Sequence, residues 1–130
     1  MTTREEYRVP GLPEPISHYT DAVRWGDLLF VSGCAPLDAD GALVGAGDVA
    51  AQTRKVLENL QLALEAAGAG YADVLKVVVY MTEISGRGEA NKVRQEFFGD
   101  ARPASTLVEV SDLAIPGMLI EIEAVAGIPS

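Results

Sequence analysis

A chain of 130 residues that is 48% hydrophobic is long enough to bury about two thirds of the surface it exposes when unfolded, so a single core needs no metal or disulfide staple. Its 10 basic and 19 acidic residues leave a net charge of −9, without the clustered Lys and Arg that a phosphate backbone demands, which argues against nucleic acid or an anionic membrane surface as partner. The one cysteine, Cys34, excludes an internal disulfide and fits a reducing compartment.

The opening Met1-Thr2-Thr3-Arg4-Glu5-Glu6 has no apolar stretch after its charge, so no secretory signal is expected there. Residues 1–17, with Pro10, Pro13 and Pro15, read as an extended lead-in with room for a short strand. Ala22-Val23-Arg24-Trp25 and Leu28-Leu29-Phe30-Val31-Ser32, separated by Gly26-Asp27, read as a hairpin ended by Gly33. Residues 35–47 are rich in Gly, Pro and Asp and read as a loop, with Leu43 and Val44 folding back as an apolar latch.

Asp48 stands where a helix N-cap belongs. The periodicity predicts a helix over 48–67 with Val49, Val56, Leu60, Ala63, Leu64 and Ala67 on its buried face. Val74 to Thr82 is apolar and β-branched with little alternation, which predicts a central strand covered on both faces. A shorter helix over about 88–98 would turn Ala90, Val93 and Phe97 inward.

After Pro103, residues 104–110 alternate Thr106, Val108 and Val110 against Ser105, Leu107 and Glu109. The last strand alternates Met118, Ile120, Ile122 and Ala124 against Leu119, Glu121, Glu123 and Val125. This is an α+β pattern in one domain, residues 1–130: a mixed sheet of five to six strands with two helices on one face. The uncovered face would carry acids beside apolar residues, and a partner subunit is expected to cover part of it. The longest apolar runs are too short to cross a bilayer, and the expected location is the cytoplasm.

One His and one Cys give no metal-ligand spacing, and neither a phosphate loop nor a dinucleotide fingerprint is present. The lone His18 reads as a surface or supporting residue, whereas Tyr19 offers an apolar ring and a polar tip suited to lining a cleft. Cys34 reads as a small buried hydrophobe, because a thiol nucleophile needs a neighbouring base or cation. Glu121 and Glu123 project to one face of a strand. Two carboxylates there repel, so one can titrate high enough for acid–base work; equally, both can meet solvent or a partner's cations.

Taken together, several motifs resemble the Rid (reactive intermediate deaminase, YjgF-type) family in the right order over about residues 15–127. They are Tyr19-Thr20-Asp21-Ala22-Val23-Arg24, Gly26-Asp27-Leu28-Leu29-Phe30-Val31-Ser32-Gly33, Pro36-Leu37-Asp38, Gln52-Thr53-Arg54, Leu57-Glu58-Asn59-Leu60, Asn91 with Phe97-Phe98, Val108-Glu109-Val110 and Ile120-Glu121-Ile122-Glu123-Ala124. The resemblance implies a chorismate-mutase-like α+β fold and a homotrimer with a small-molecule cleft at each subunit interface. It further implies hydrolysis of enamines and imines to ketones and ammonia without metal or organic cofactor. Carried over by motif, Glu121 and Tyr19 would be catalytic, with Ser32, Cys34, Asn91, Ser105 and Leu107 binding substrate.

One position departs from the family. Its pattern places a carboxylate-anchoring arginine after Pro-Ala, and this chain reads Pro103-Ala104-Ser105-Thr106-Leu107. Leu107 stands where Thr or Cys is frequent, and Cys34 replaces a common Gln. Serine lacks the charged planar fork, and losing such a pair in a cleft costs on the order of 2–5 kcal/mol of binding. Arg102, three residues upstream, is the candidate substitute, against which strand parity and Pro103 count. Three readings follow: a deaminase of altered substrate range, a non-catalytic small-molecule-binding trimer, or a redox or covalent role for Cys34. Relatives described as ribonucleases or translation inhibitors fit the net charge of −9 poorly.

Overall fold

The computed structural model describes residues 3–130. In chain order these form β1 (Arg4–Tyr7), β2 (Ala22–Trp25), β3 (Leu28–Cys34), α1 (Val49–Ala66), β4 (Val74–Met81), α2 (Arg87–Phe98), β5 (Ala104–Glu109) and β6 (Ile120–Gly127). The strands make one mixed sheet in the order β1-β2-β3-β6-β4-β5, the architecture expected from the sequence, with the lead-in supplying β1.

β2 and β3 form the expected hairpin. Gly26 sits in its turn at φ 62°, a left-handed conformation that is costly for residues with a Cβ. β3 and β4 both run antiparallel to β6 and are therefore parallel to each other, with α1 as the crossover that a parallel pair requires. β4 and β5 are parallel neighbours joined through α2. The last strand thus slots into the middle of the sheet, which puts Glu121 near its centre.

α1 starts where Asp48 Oδ1 accepts a hydrogen bond from Ala51 N at 3.0 Å. Val56, Leu57, Leu60, Ala63 and Leu64 are buried in the core with Leu29, Val77, Val79, Ile120 and Ile122. α2 packs beside α1, and Tyr71 pins the two together. Its hydroxyl donates to Leu57 O at 2.6 Å, and its ring meets those of Phe97 and Phe98 at 5.8 and 5.1 Å.

Three local expectations are corrected. β4 alternates: Val77, Val79 and Met81 are buried, whereas Lys76, Val78 and Tyr80 are only partly so, because both helices lie on the other side of the sheet. At the end of α2, Phe98 is the buried ring and Phe97 is partly exposed. On α1 the buried face includes polar Gln52, Thr53 and Asn59, while Val49 is partly exposed. Among the described residues no helix is long and apolar enough to cross a membrane.

Candidate functional site

Strand parity distributes chemistry over the face of the sheet that the helices leave open. Along β6, Ile120, Ile122 and Ala124 are buried, while Glu121, Glu123 and Val125 face the other way. Across from them on β4, Tyr80 pairs with Glu121 and Val78 with Glu123. Tyr80 donates its hydroxyl proton to Glu123 Oε1 at 2.5 Å. Glu123 is therefore partnered, whereas among the described residues the Glu121 carboxyl has no hydrogen-bond partner.

Glu121 lies against β3, where the register shifts between Val31 and Cys34. Gly33 makes this possible. A Cβ there would overlap Glu121 Oε1 and stand 2.8 Å from its Cδ and 3.1 Å from its Cγ. The carboxyl is half-buried, and its pKa is raised, chiefly by desolvation and secondarily by Glu123. A carboxylic acid so placed can give up and recover a proton closer to neutrality than an ordinary glutamate.

This carboxyl borders a cavity of about 420 Å³ whose lining includes Tyr19, Ser32, Cys34, Met118 and Glu121, with the lead-in Leu12–Ser17 forming one wall. The wall is tied down from below. Buried Asp21 pairs with Arg8 and accepts from Val9 N at 2.7 Å, and Thr20 Oγ1 donates to Tyr7 O at 2.7 Å. Ser32 is held by donating to Thr20 O at 2.6 Å. Tyr19 is exposed at the rim, its hydroxyl accepting a long 3.4 Å bond from Ile16 N.

Two buried amides from α1, which a search for apolar periodicity passes over, fix the surrounding loops. Gln52 donates to Gly117 O at 2.9 Å and to Gly45 O at 3.2 Å, and it accepts from Leu119 N at 2.7 Å. It thereby sets the entry of β6 just before Glu121. Asn59 donates to Ala35 O and Leu37 O, both at 2.9 Å. Burial pushes the Cys34 thiol up to about 12, with Glu121 and Asp21 adding to the effect. A thiol in that state is a poor nucleophile at neutral pH, so Cys34 serves here as a wall.

The remaining sequence-picked residues lie elsewhere. Asn91 is exposed on α2. Ser105 and Leu107 pair with Val77 and Val79 and so face the helix side of edge strand β5, opposite to Glu121. None of the three lines the cavity. Asn91 and Ser105 are joined through Arg94, which donates to Asn91 Oδ1 at 3.2 Å and to Ser105 Oγ at 2.9 Å, while Leu107 packs against the core. Sequence reading had passed over Arg94; its one signal was the three-residue spacing from Asn91, which puts both on one helix face. Arg102 is exposed and makes no bond to Ser105. Among the described residues no group of three or more His, Cys, Asp and Glu could hold a metal ion.

A six-stranded sheet of this order, backed by two helices and bearing an unpartnered glutamate over a glycine gap, defines a small α+β protein with a cavity beside that carboxyl. Residues 11–128 match the Endoribonuclease L-PSP family. The chain is 44% identical over 114 residues to the RutC family protein PH0854 of Pyrococcus horikoshii, covering 88% of this chain and 90% of that one. It is 38% identical over 116 residues to the 3-aminoacrylate deaminase RutC of Acinetobacter baylyi, covering 89% and 91%. It also resembles the crystal structure of YyfA from Yersinia pestis, a protein of unknown function in the conserved Rid family, with TM-score 0.91, 32% identity and coverage of 97% and 100%. The chain belongs to this Endoribonuclease L-PSP, or YjgF/Rid, family.

Proposed function

We propose that the protein is a Rid-type deaminase that hydrolyses an enamine or imine and releases ammonia. The observation that carries this reading is the Glu121 carboxyl: half-buried, raised in pKa and without a hydrogen-bond partner among the described residues, it borders a cavity of substrate size. Protonated, it would deliver a proton to the enamine β-carbon, giving an iminium. Ionised, it would draw a proton from the water that attacks the iminium carbon. The carbinolamine then collapses to the ketone, so one water is consumed and one ammonia leaves. Tyr19 at the rim would orient the substrate nitrogen or the water. The relative named 3-aminoacrylate deaminase supports this reaction class, since 3-aminoacrylate is an enamine.

In this reading a homotrimer completes the cleft, with the α2–β5 edge of one copy, carrying Asn91, Ser105 and Leu107, set against the Tyr19–Glu121 cavity of the next. Two features support it. The groups lie on opposite faces of one sheet and do not meet within a chain. The open face also displays Trp25, Leu28, Phe30 and Val108 to solvent, an apolar surface suited to burial by another copy.

The test is ammonia release from a panel of enamines and imines, with and without a carboxylate. Wild type should turn over at least one of them, and Glu121→Ala should lower the rate by 100-fold or more, within the range for a lost general acid–base, roughly 10²–10⁴. An unchanged rate in Glu121→Ala would remove the glutamate from the mechanism. Ligands that raise thermal stability without being consumed would favour a binding role instead, to which serine in place of the strand arginine and apolar Leu107 are also suited.

A further inference from the structure

Arg94 and Arg54 sit on adjacent helices in contrasting surroundings. Arg54 is neutralised: its Nη2 pairs with Glu96 Oε2 at 2.6 Å, and its guanidinium lies 5.4 Å from the centre of the Phe97 ring. Glu96, two residues along α2 from Arg94, is thus engaged on the α1 side. Arg94 is half-buried, and desolvation lowers its pKa, yet the guanidinium stays charged because its intrinsic value is so high. Its protein partners are neutral, Asn91 Oδ1 at 3.2 Å and Ser105 Oγ at 2.9 Å. Among the described residues no carboxylate pairs with it.

Both Arg94 bonds lie at an exposed edge of the molecule, so the guanidinium is held in place yet remains open to an anion arriving from solvent. The two neutral bonds fix the fork and leave further N–H groups to donate. Ser105 accepts from Arg94, which leaves its own hydroxyl proton for a bound anion. Partly buried Leu107, two residues along the same side of β5, adds an apolar wall. A longer side chain at position 105 would occupy the place the guanidinium now takes, so the small serine and the helix arginine suit each other.

We propose that Arg94, fixed by Ser105 and Asn91, is the carboxylate-binding residue of this protein, holding a small monocarboxylate whose alkyl portion packs on Leu107. The charge that the family pattern places on the edge strand here comes from α2. A single cation in a chain of net charge −9 favours a singly charged anion over phosphate, and the planar fork matches a carboxylate. The assignment rests on the deaminase reading for the use of this group in catalysis, but its anion binding is measurable without turnover.

The test titrates the intact protein with 2-oxobutanoate as the carboxylate, butanone as its neutral counterpart and inorganic phosphate as a competing anion, by calorimetry and by chemical shifts. Wild type should bind 2-oxobutanoate more tightly than either. Arg94→Gln should weaken that binding tenfold or more, Arg94→Lys less, and added salt should weaken it in wild type only. Arg94→Ala combined with Ser105→Arg, which moves the guanidinium to the strand, should restore much of the affinity, and circular dichroism should show every variant folded. Equal affinity in Arg94→Gln, tighter binding of phosphate, or no 2-oxobutanoate binding by wild type would each overturn the assignment. Arg94-dependent binding without ammonia release from any substrate would instead remove the deaminase reading and leave this one standing.

Discussion

On the helix side of the sheet, Leu29, Val77, Val79, Ile120 and Ile122 are sealed from solvent, whereas on the opposite side Trp25 remains 53% exposed and Phe30 47%. Residues of both kinds alternate along single strands. Ile120 and Ile122 flank Glu121, and Leu29 and Val31 flank Phe30, so the period of two along a strand separates residues that hold the fold from residues free for chemistry and assembly. On the helix side the Gln52 amide is paired at both ends, and the Asn59 amide nitrogen donates to two carbonyls while its Oδ1 stays buried without a partner among the described residues. The open side leaves a carboxyl and several large apolar side chains without partners in the chain. A fold that secures its stability on one face can therefore place an ionisable group on the other.

The largest effect that would break this division is loss of a sealed side chain. Leu57→Ala should destabilise the chain by about 2–5 kcal/mol, read from urea unfolding. Phe30→Ala should cost far less in dilute solution, and if copies associate through the open face as proposed, it should instead shift the concentration dependence of sedimentation toward smaller species. Equal destabilisation by the two substitutions would mean that the open face holds the single chain together as firmly as the helix side does.

A smaller and sharper change acts where the faces meet the cavity. Gly33 has no left-handed backbone requirement, and the space a Cβ would need is already filled by the Glu121 carboxyl. Gly33→Ala should displace that flexible side chain with little backbone strain. We expect kcat/KM for the best substrate of the enamine panel to fall by about tenfold or more, equivalent to about 1.4 kcal/mol of lost transition-state stabilisation, with the melting temperature nearly unchanged. Full activity in this variant would show that the carboxyl need not lie over Gly33.

Much of this was legible in the sequence, for physical reasons that also mark where legibility ends. The hairpin, both helices and the alternation of β5 and β6 follow from local periodicity and turn chemistry, which act over a few residues. β4 misled because β-branched Val78 suits a pleated strand on either face, so its sequence does not reveal that one side is uncovered. Gln52 and Asn59 escaped because their partners are backbone carbonyls and an N–H in distant loops, Gly117 being 65 residues from Gln52. Residue types and motif order singled out Tyr19, Ser32, Cys34 and Glu121, which the fold gathers at one cavity. Asn91 falls outside it because it sits on α2, and Ser105 and Leu107 because they lie on the helix side of β5; the significance of Arg94 emerged only once Ser105 was seen beside it.

The two neighbouring carboxylates of β6 offer the finest test of the division, through pH. Glu121 keeps its proton to higher pH in the folded chain than in the unfolded one, first because it is desolvated and then because Glu123 is near. The folded state therefore binds more protons in the window that opens at the unfolded glutamate value, about 4.3, and closes at the raised folded value. Stability contributed by the protonated acid is present below that window and declines as pH rises through it. Glu121→Gln should flatten this segment of the stability profile and leave the protein slightly more stable than wild type at pH 7, although less active. Glu123→Gln removes only the second cause, so it should move both the stability decline and the acidic limb of kcat/KM to lower pH while turnover persists. If the limb stays in place in Glu123→Gln but vanishes in Glu121→Gln, desolvation alone sets the titration, and the hydrogen bond from Tyr80 already keeps the Glu123 charge from being felt at Glu121.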